Sequence, residues 1–458
     1  MDIFEILLPP FYIITIVMMA LKYSNARKSR DKIYEYFMPG LLLKMFGALA
    51  LGWVYYFYYL GGDTVNYFNT SCSMVDLLLK NPDDFNYIYF GEPKQSEYFI
   101  LNSKYEFTYW VNDQYAFFVC KCFFPIVLIC FKSYFASAIV VASICYIGVW
   151  RLFLVFNNEF PHLFKLFAWS ILYVPSVVFW GSGIMKDSIT FSAACIFVHG
   201  FYWFFTQHKW KLKFIFALLL GAYLLIAIKP YILFALLPGS VLWFLSLRVA
   251  KIKSVLFKII FAPSLIFLGI VIGLFVLQQL GDSLGKYSMD KVIQTASGAQ
   301  KDLKQSYYEG NSFDIGDYEP TPVGILSVSH KAIFAALFRP TLIDVRNVVM
   351  FICALENTFI LGFFIYLLFK LKVYRFFILI TESPILMFSF IFSVFFAFSV
   401  GVSISNFGTL VRLKIPCIPF FLSTLVILND LLNQSSRKNY KLNRKFVIKE
   451  EGLGTQLR

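Results

Sequence analysis

Apolar residues along this chain gather into runs of 15 to 23 positions, separated by short polar gaps. Such runs are too long for strands, and they lack the polar stripe of a helix lying on a soluble core. About twenty residues of helix cross ~30 Å of hydrocarbon. Runs 3–21, 38–60, 134–152, 164–180, 188–206, 214–228, 231–247, 259–279, 347–369, 383–400 and 413–429 are therefore read as membrane spans. The expected fold is all-α: a polytopic transmembrane bundle of about eleven spans over residues 1–429, followed by a basic tail at 430–458. Two apolar pieces fit poorly. Run 115–131 is short and carries Lys121 at its middle, and 331–346 contains Arg339, Pro340, Asp344 and Arg346. Both are expected as in-plane or re-entrant segments, tolerated where protein covers the backbone.

The sign of the charge alternates between gaps. Residues 61–114 hold eight acidic side chains against three lysines, and 280–330 hold seven acids against four lysines. The gaps around Lys22–Lys32, Lys209–Lys213, Arg248–Lys258 and Lys370–Arg375, and the tail from Arg437, are basic. Basic gaps mark the cytoplasmic side. The N-terminus, 61–114, 181–187 and 280–346 are thus expected outside and the C-terminus inside, which requires that 115–131 not cross.

Composition changes this picture little. Hydrophobic residues make up 59% and charged residues 15%, against roughly 45–50% and about 25% in soluble domains. The net charge of +14 lies mostly in the basic gaps and tail, so it points to anionic lipid rather than nucleic acid. Seven of eight cysteines lie in or beside apolar runs, and the four histidines are scattered. Neither a disulfide framework nor a metal site is expected, and no cofactor-binding loop is present.

The remaining polar motifs fall on the outer side of this topology. Gly61-Gly62-Asp63-Thr64 opens the first acidic loop, with glycines able to turn the chain and bring Asp63 over the surface. Gly181-Ser182-Gly183-Ile184-Met185-Lys186-Asp187-Ser188 separates two spans, Lys229-Pro230-Tyr231 joins two more, and Asn406 to Arg412 precedes the last. Each has two open readings. Asp63 can be a turn residue, Asp187 a helix cap, and Lys229 and Arg412 snorkelling anchors. Glu356 sits within an apolar span, where a carboxylate is either functional or paired; Arg346 and Lys186 are its candidate partners. Taken together, Lys186, Lys229, Arg339, Arg346 and Arg412 are cations at membrane level where positive charge should be scarce. Such groups bind phosphate. Asp63, Asp187 and Glu356 supply carboxylates able to act as bases in the same layer, and Asn406 is a candidate substrate contact.

Through GGDTVNYF (61–68), FWGSGIMKDSI (179–189), IKPYI (228–232), FRPTLIDVRN (338–347), ALEN (354–357) and NFGTLVRLKIPCIPF (406–420), the chain resembles bacterial membrane proteins of polysaccharide synthesis. These are the Wzy-like repeat-unit polymerases and the multispanning GT-C glycosyltransferases. The resemblance implies transfer of a polyprenyl-phosphate-linked or polyprenyl-pyrophosphate-linked saccharide at the outer leaflet of the inner membrane. It implies Asp63 as the acidic residue near the acceptor and Arg339, Arg346 and Arg412 as pyrophosphate ligands. A flippase or transporter of glycans is the rival expectation.

Overall fold

The computed structural model describes residues 3–91, 107, 113–249, 289–303, 312–345 and 348–434. Among them the chain is helical, and the sole pairing of extended backbone is a bridge between Ser312 and Asn406. Among the described residues six helices are long and apolar enough to cross a membrane: Ile3–Lys28 (α1), Lys32–Tyr58 (α2 with its flanking turns), Tyr134–Glu159 (α6), Lys186–Thr206 (α9), Met350–Leu371 (within α15, Val348–Leu371) and Pro384–Ser403 (α17). A seventh span is possible as a pair bent by 68°, Phe407–Leu413 (α18) and Ile418–Gln434 (α19). The protein is a membrane protein; among the described residues six helices qualify as spans, or seven if the bent pair is one span, and a total of about eleven is not established.

Several expected spans take other forms. Run 259–279 lies outside the described residues. Leu212–Ile228 (α10) and Pro230–Ser246 (the described side chains of α11, Pro230–Val249) are apolar but shorter, as is Gln114–Ile129 (α5), which was not expected to cross. Run 164–180 is not one helix. Phe164–Phe167 (α7) continues through a π-turn to Leu172, stops, and restarts as Pro175–Trp180 (α8). Gly181–Met185, expected as an outer loop, is buried within the bundle. The charged segment after 331 forms Ser329–Phe338 (α14), with Ala332, Ala335 and Ala336 buried against α17. The acidic stretches contribute Asp63–Lys80 (α3), Pro82–Phe90 (α4), Met289–Leu303 (α12) and Pro322–Ser327 (α13); Val373–Glu382 (α16) precedes α17.

Helix directions follow from contacts. The Glu5 carboxylate accepts hydrogen bonds from Ser133 Oγ (3.0 Å) and the Tyr134 N–H (2.5 Å). The starts of α1 and α6 therefore share one end of the bundle, called here the upper end. Asn158 and Glu159 at the foot of α6 meet Tyr202 at the foot of α9, so those two helices run parallel. Exposed Tyr58 and Tyr59 ring the upper end of α2, and exposed Trp210 and Tyr374 mark the lower end, as interfacial aromatic belts do. Only Pro9, Ala20 and Ser24 of α1 are buried, leaving its apolar surface to lipid.

Between helices in lipid, close packing rather than hydrophobic exclusion drives association. A Cβ on Gly221 of α10 would stand 2.7 Å from the Phe197 nitrogen, and one on Gly200 of α9 would stand 2.5 Å from the Leu218 nitrogen. The two backbones touch at these glycines. Gly221→Val should force them apart and cost at least the roughly 1–3 kcal/mol of an overpacked core. Thermal unfolding in detergent will read this as a lowered midpoint; an unchanged midpoint would contradict the α9–α10 contact.

Candidate functional site

A broken helix inside a membrane exposes backbone groups that lipid cannot satisfy. The helix breaks here coincide with buried charges. At the start of α8, Glu356 of α15 accepts hydrogen bonds from the Ser176 N–H (2.8 Å) and Oγ–H (2.6 Å). From α2, Lys44 donates to the Val177 carbonyl (3.4 Å), which also accepts from the Gly181 N–H at the end of α8. A carboxylate at the N-terminus and an ammonium towards the C-terminus both complement the helix dipole. At the end of α14, Lys414 donates to the Arg339 carbonyl (3.1 Å) and to Asn357 Oδ1 (2.7 Å). Asn357 in turn donates to the Pro340 carbonyl at 2.9 Å. Glu5 does the same for α6. These charges serve as caps contributed by neighbouring helices.

A second set of charges pairs within itself and, apart from Asp113, whose Oδ1 accepts the Tyr115 and Ala116 N–H groups at the start of α5, caps nothing. Gly61 and Gly62 hold φ values of +147° and +114°, a region that favours glycine. They reverse the chain after α2 and make Asp63 the first residue of α3. Its carboxylate is not free to swing over the surface: Arg412 Nη1 donates to Asp63 Oδ2 at 2.5 Å. Arg412 Nε lies 3.1 Å from Asp187 Oδ2, and Lys229 pairs with Asp187 Oδ1. Met185, not Asp187, occupies the cap position of α9, so the capping reading of Asp187 gives way to a buried ion pair with two cations. The snorkelling reading of Lys229 and Arg412 fails likewise, because both are turned inward onto carboxylates. Lys186 Nζ stands 3.5 Å from Asp113 Oδ2 and 6.0 Å from the Tyr67 ring centroid.

The cluster is recessed. On the parallel helices α6 and α9, Gly148 faces Ser192. Tyr134 is fourteen residues above Gly148, about 21 Å at helical rise, whereas Lys186 is six above Ser192, about 9 Å. Lys186 and Asp187 therefore lie roughly 12 Å below the top of α6. The floor is closed, with the Asp187 and Lys229 side chains 3% and 9% exposed. The mouth is more open, with Arg412 at 24% and Asp63 at 28%. Buried Tyr55, against Gly62, and Tyr67, beside Lys186, contribute to the walls. Three cations and three carboxylates meet here: Lys186, Lys229 and Arg412 with Asp63, Asp113 and Asp187.

The structure thus gathers five of the residues singled out from the sequence: Asp63, Lys186, Asp187, Lys229 and Arg412. It engages the others elsewhere. Arg339 grips Asp344 with Nη2 (2.5 Å) and Nε (3.2 Å), and its guanidinium covers the Phe313 and Phe407 rings. Burial pushes the Asp344 carboxyl up, but hydrogen bonds from Arg339 and Thr341 outweigh it and hold the group below its ordinary range. Asn406 caps α18, accepting from the Thr409 N–H at 3.2 Å, and so positions the short helix that carries Arg412. Glu356 meets Ser176 rather than Lys186, and Arg346 lies outside the described residues. Lys44, Asp113 and Lys414 were not singled out from the sequence. Lys44 and Lys414 were detectable as single charges in apolar surroundings, whereas nothing separates Asp113 from its seven acidic neighbours. Among the described residues, no three His, Cys, Asp or Glu side chains converge in a metal-binding group.

The division into caps and cluster predicts different tolerances. Glu356→Gln keeps an acceptor for the Ser176 N–H and should fold nearly as well as the parent. Glu356→Leu orphans two donors and should cost about 1–3 kcal/mol, measured as a lowered midpoint of thermal unfolding in detergent. Equal stability of the two variants would contradict the capping role. No family model, curated protein sequence or solved structure matches the chain significantly, so its function rests on this geometry.

Proposed function

We propose that this protein is an integral membrane glycosyltransferase, of the polysaccharide-polymerase type, acting on polyprenyl-phosphate-linked sugars at the outer leaflet of the bacterial inner membrane. The observation that carries this reading is the recessed cluster built around Arg412, with Asp63 and Asp187 on one guanidinium and Lys186 and Lys229 beside it. Its depth suits a phosphate attached to a lipid tail, because the tail can remain among the helices while the sugar faces the opening. The charge asymmetry of the gaps favours the upper end on the outer side of the inner membrane.

In this mechanism an acceptor hydroxyl oxygen attacks the anomeric carbon of the lipid-linked sugar. The bond from that carbon to the phosphate oxygen breaks, and the phosphate leaves with the electron pair. Asp63 takes the hydroxyl proton as general base. Arg412, Lys186 and Lys229 stabilise the charge developing on the leaving phosphate, the kind of preorganised electrostatic term that dominates many enzymes. Asp187 holds Arg412 and Lys229 in place. Arg339 and Glu356 support the helices that carry the cluster, through Asp344 and Ser176.

Two experiments test this. A cysteine at exposed Asp83 should be labelled by an impermeant maleimide on intact cells with the outer membrane permeabilised, and one at exposed Lys211 should not; the reverse would overturn the topology. In the native host, Arg412→Ala and Asp63→Asn should abolish the lengthened polymer while the protein accumulates and single lipid-linked units persist on the outer leaflet. Normal polymer from both variants would contradict the reading. Units trapped on the cytoplasmic leaflet would identify a flippase instead.

A further inference from the structure

The cations of the cluster are already matched by carboxylates. A phosphate entering this site must therefore replace a carboxylate rather than fill an unmatched positive pocket. The pairs differ in how readily they could yield. Asp187 is nearly inaccessible and holds two cations, Lys229 and Arg412. Asp63 meets Arg412 at the mouth, where both side chains are about a quarter exposed. Asp63 also follows the Gly61–Gly62 reversal, open at Gly61, where a Cβ would meet nothing within 4 Å, and packed on the Tyr55 ring at Gly62. The guanidinium fork accepts a carboxylate or a phosphate in the same bidentate geometry.

We infer that Asp63 and the ligand phosphate compete for Arg412, so that the Asp63–Arg412 pair is a latch opened by the substrate's own phosphate. In the resting state Arg412 holds the carboxylate and occupies its Oδ2. When a lipid phosphate takes over the mouth-facing Nη1, Asp63 is released beside the bound donor. Arg412 keeps its ion pair with the buried Asp187 carboxylate and does not travel with the ligand. The general base becomes available only when a donor is present, and the site does not carry an excess of positive charge without one. This inference rests on the phosphate-binding reading above and adds the order of events.

The latch makes an unusual prediction: removing a proposed catalytic carboxylate should strengthen ligand binding. The full chain in nanodiscs, titrated with undecaprenyl monophosphate and read by native mass spectrometry, supplies the test. Asp63→Asn should bind about fivefold more tightly than the parent, near the upper end of what a partly exposed ion pair is worth. Arg412→Gln should bind more weakly, and the double variant should show no gain from the Asp63 change. Thermal unfolding of each variant checks that the fold persists; if Arg412→Gln does not fold, Arg412→Lys replaces it. Parent and Asp63→Asn binding alike, or Asp63→Asn binding less well, would overturn the latch while leaving the phosphate site intact. A gain that persists in the double variant would overturn it too, as a general charge effect. No binding by the parent or by Asp63→Asn would overturn the phosphate reading and the latch with it.

Discussion

Inside a bilayer no backbone N–H or carbonyl can be left to solvent, and this chain breaks its helices within the bundle repeatedly. The pause between α7 and α8, the buried Gly181–Met185 stretch, the end of α14 and the bend between α18 and α19 all interrupt helical hydrogen bonding. Three of the costliest side chains to bury, Lys44, Glu356 and Lys414, sit at these interruptions and satisfy them from neighbouring helices. Their burial is the condition on which the irregular core exists. Replacing continuous helices by short capped pieces has a structural consequence. It lets α9 start, and the α10–α11 hairpin turn, well below the top of α6.

That depth gives the second group of charges its meaning. Asp187, Lys229 and Arg412 are not needed as caps, yet they occupy the same costly environment. Their arrangement is graded, closed at Asp187 and Lys229 and open at Arg412 and Asp63. A purely structural salt bridge gains little from such a gradient, because desolvation tends to cancel the attraction of a buried pair. A site that admits an anionic head group from the open side uses it directly. The short helix α18 serves both groups: Phe407 at its start lies under Arg339, Arg412 closes its last turn, and Lys414 caps it.

Much of the fold was legible in the sequence because hydrophobic run length and charge sign are local properties. They give a helical membrane bundle and the positions of its long helices. Run length does not register a pause such as that at Tyr173–Val174 or the bend between α18 and α19. Pro175 was the local sign of the first, since proline starts a helix more readily than it continues one. Residue type picked out Asp63, Lys186, Asp187, Lys229 and Arg412 as chemically unusual for their place. Their pairing was not legible: Asp63 and Arg412 are 349 residues apart, and no local pattern encodes that contact. For the same reason the contact of Glu356 with Ser176, 180 residues away, was not legible.

The central claim is that Arg412, rather than Arg339, receives the phosphate of a polyprenyl-linked donor. Electron cryomicroscopy of the full chain in nanodiscs with a polyprenyl-diphosphate lipid addresses it directly. The account predicts phosphate density within hydrogen-bonding distance of Arg412, near Lys186 and Lys229, with the lipid tail running down between helices. Phosphate seated on Arg339 in place of Asp344, with the Arg412 cluster empty, would contradict it.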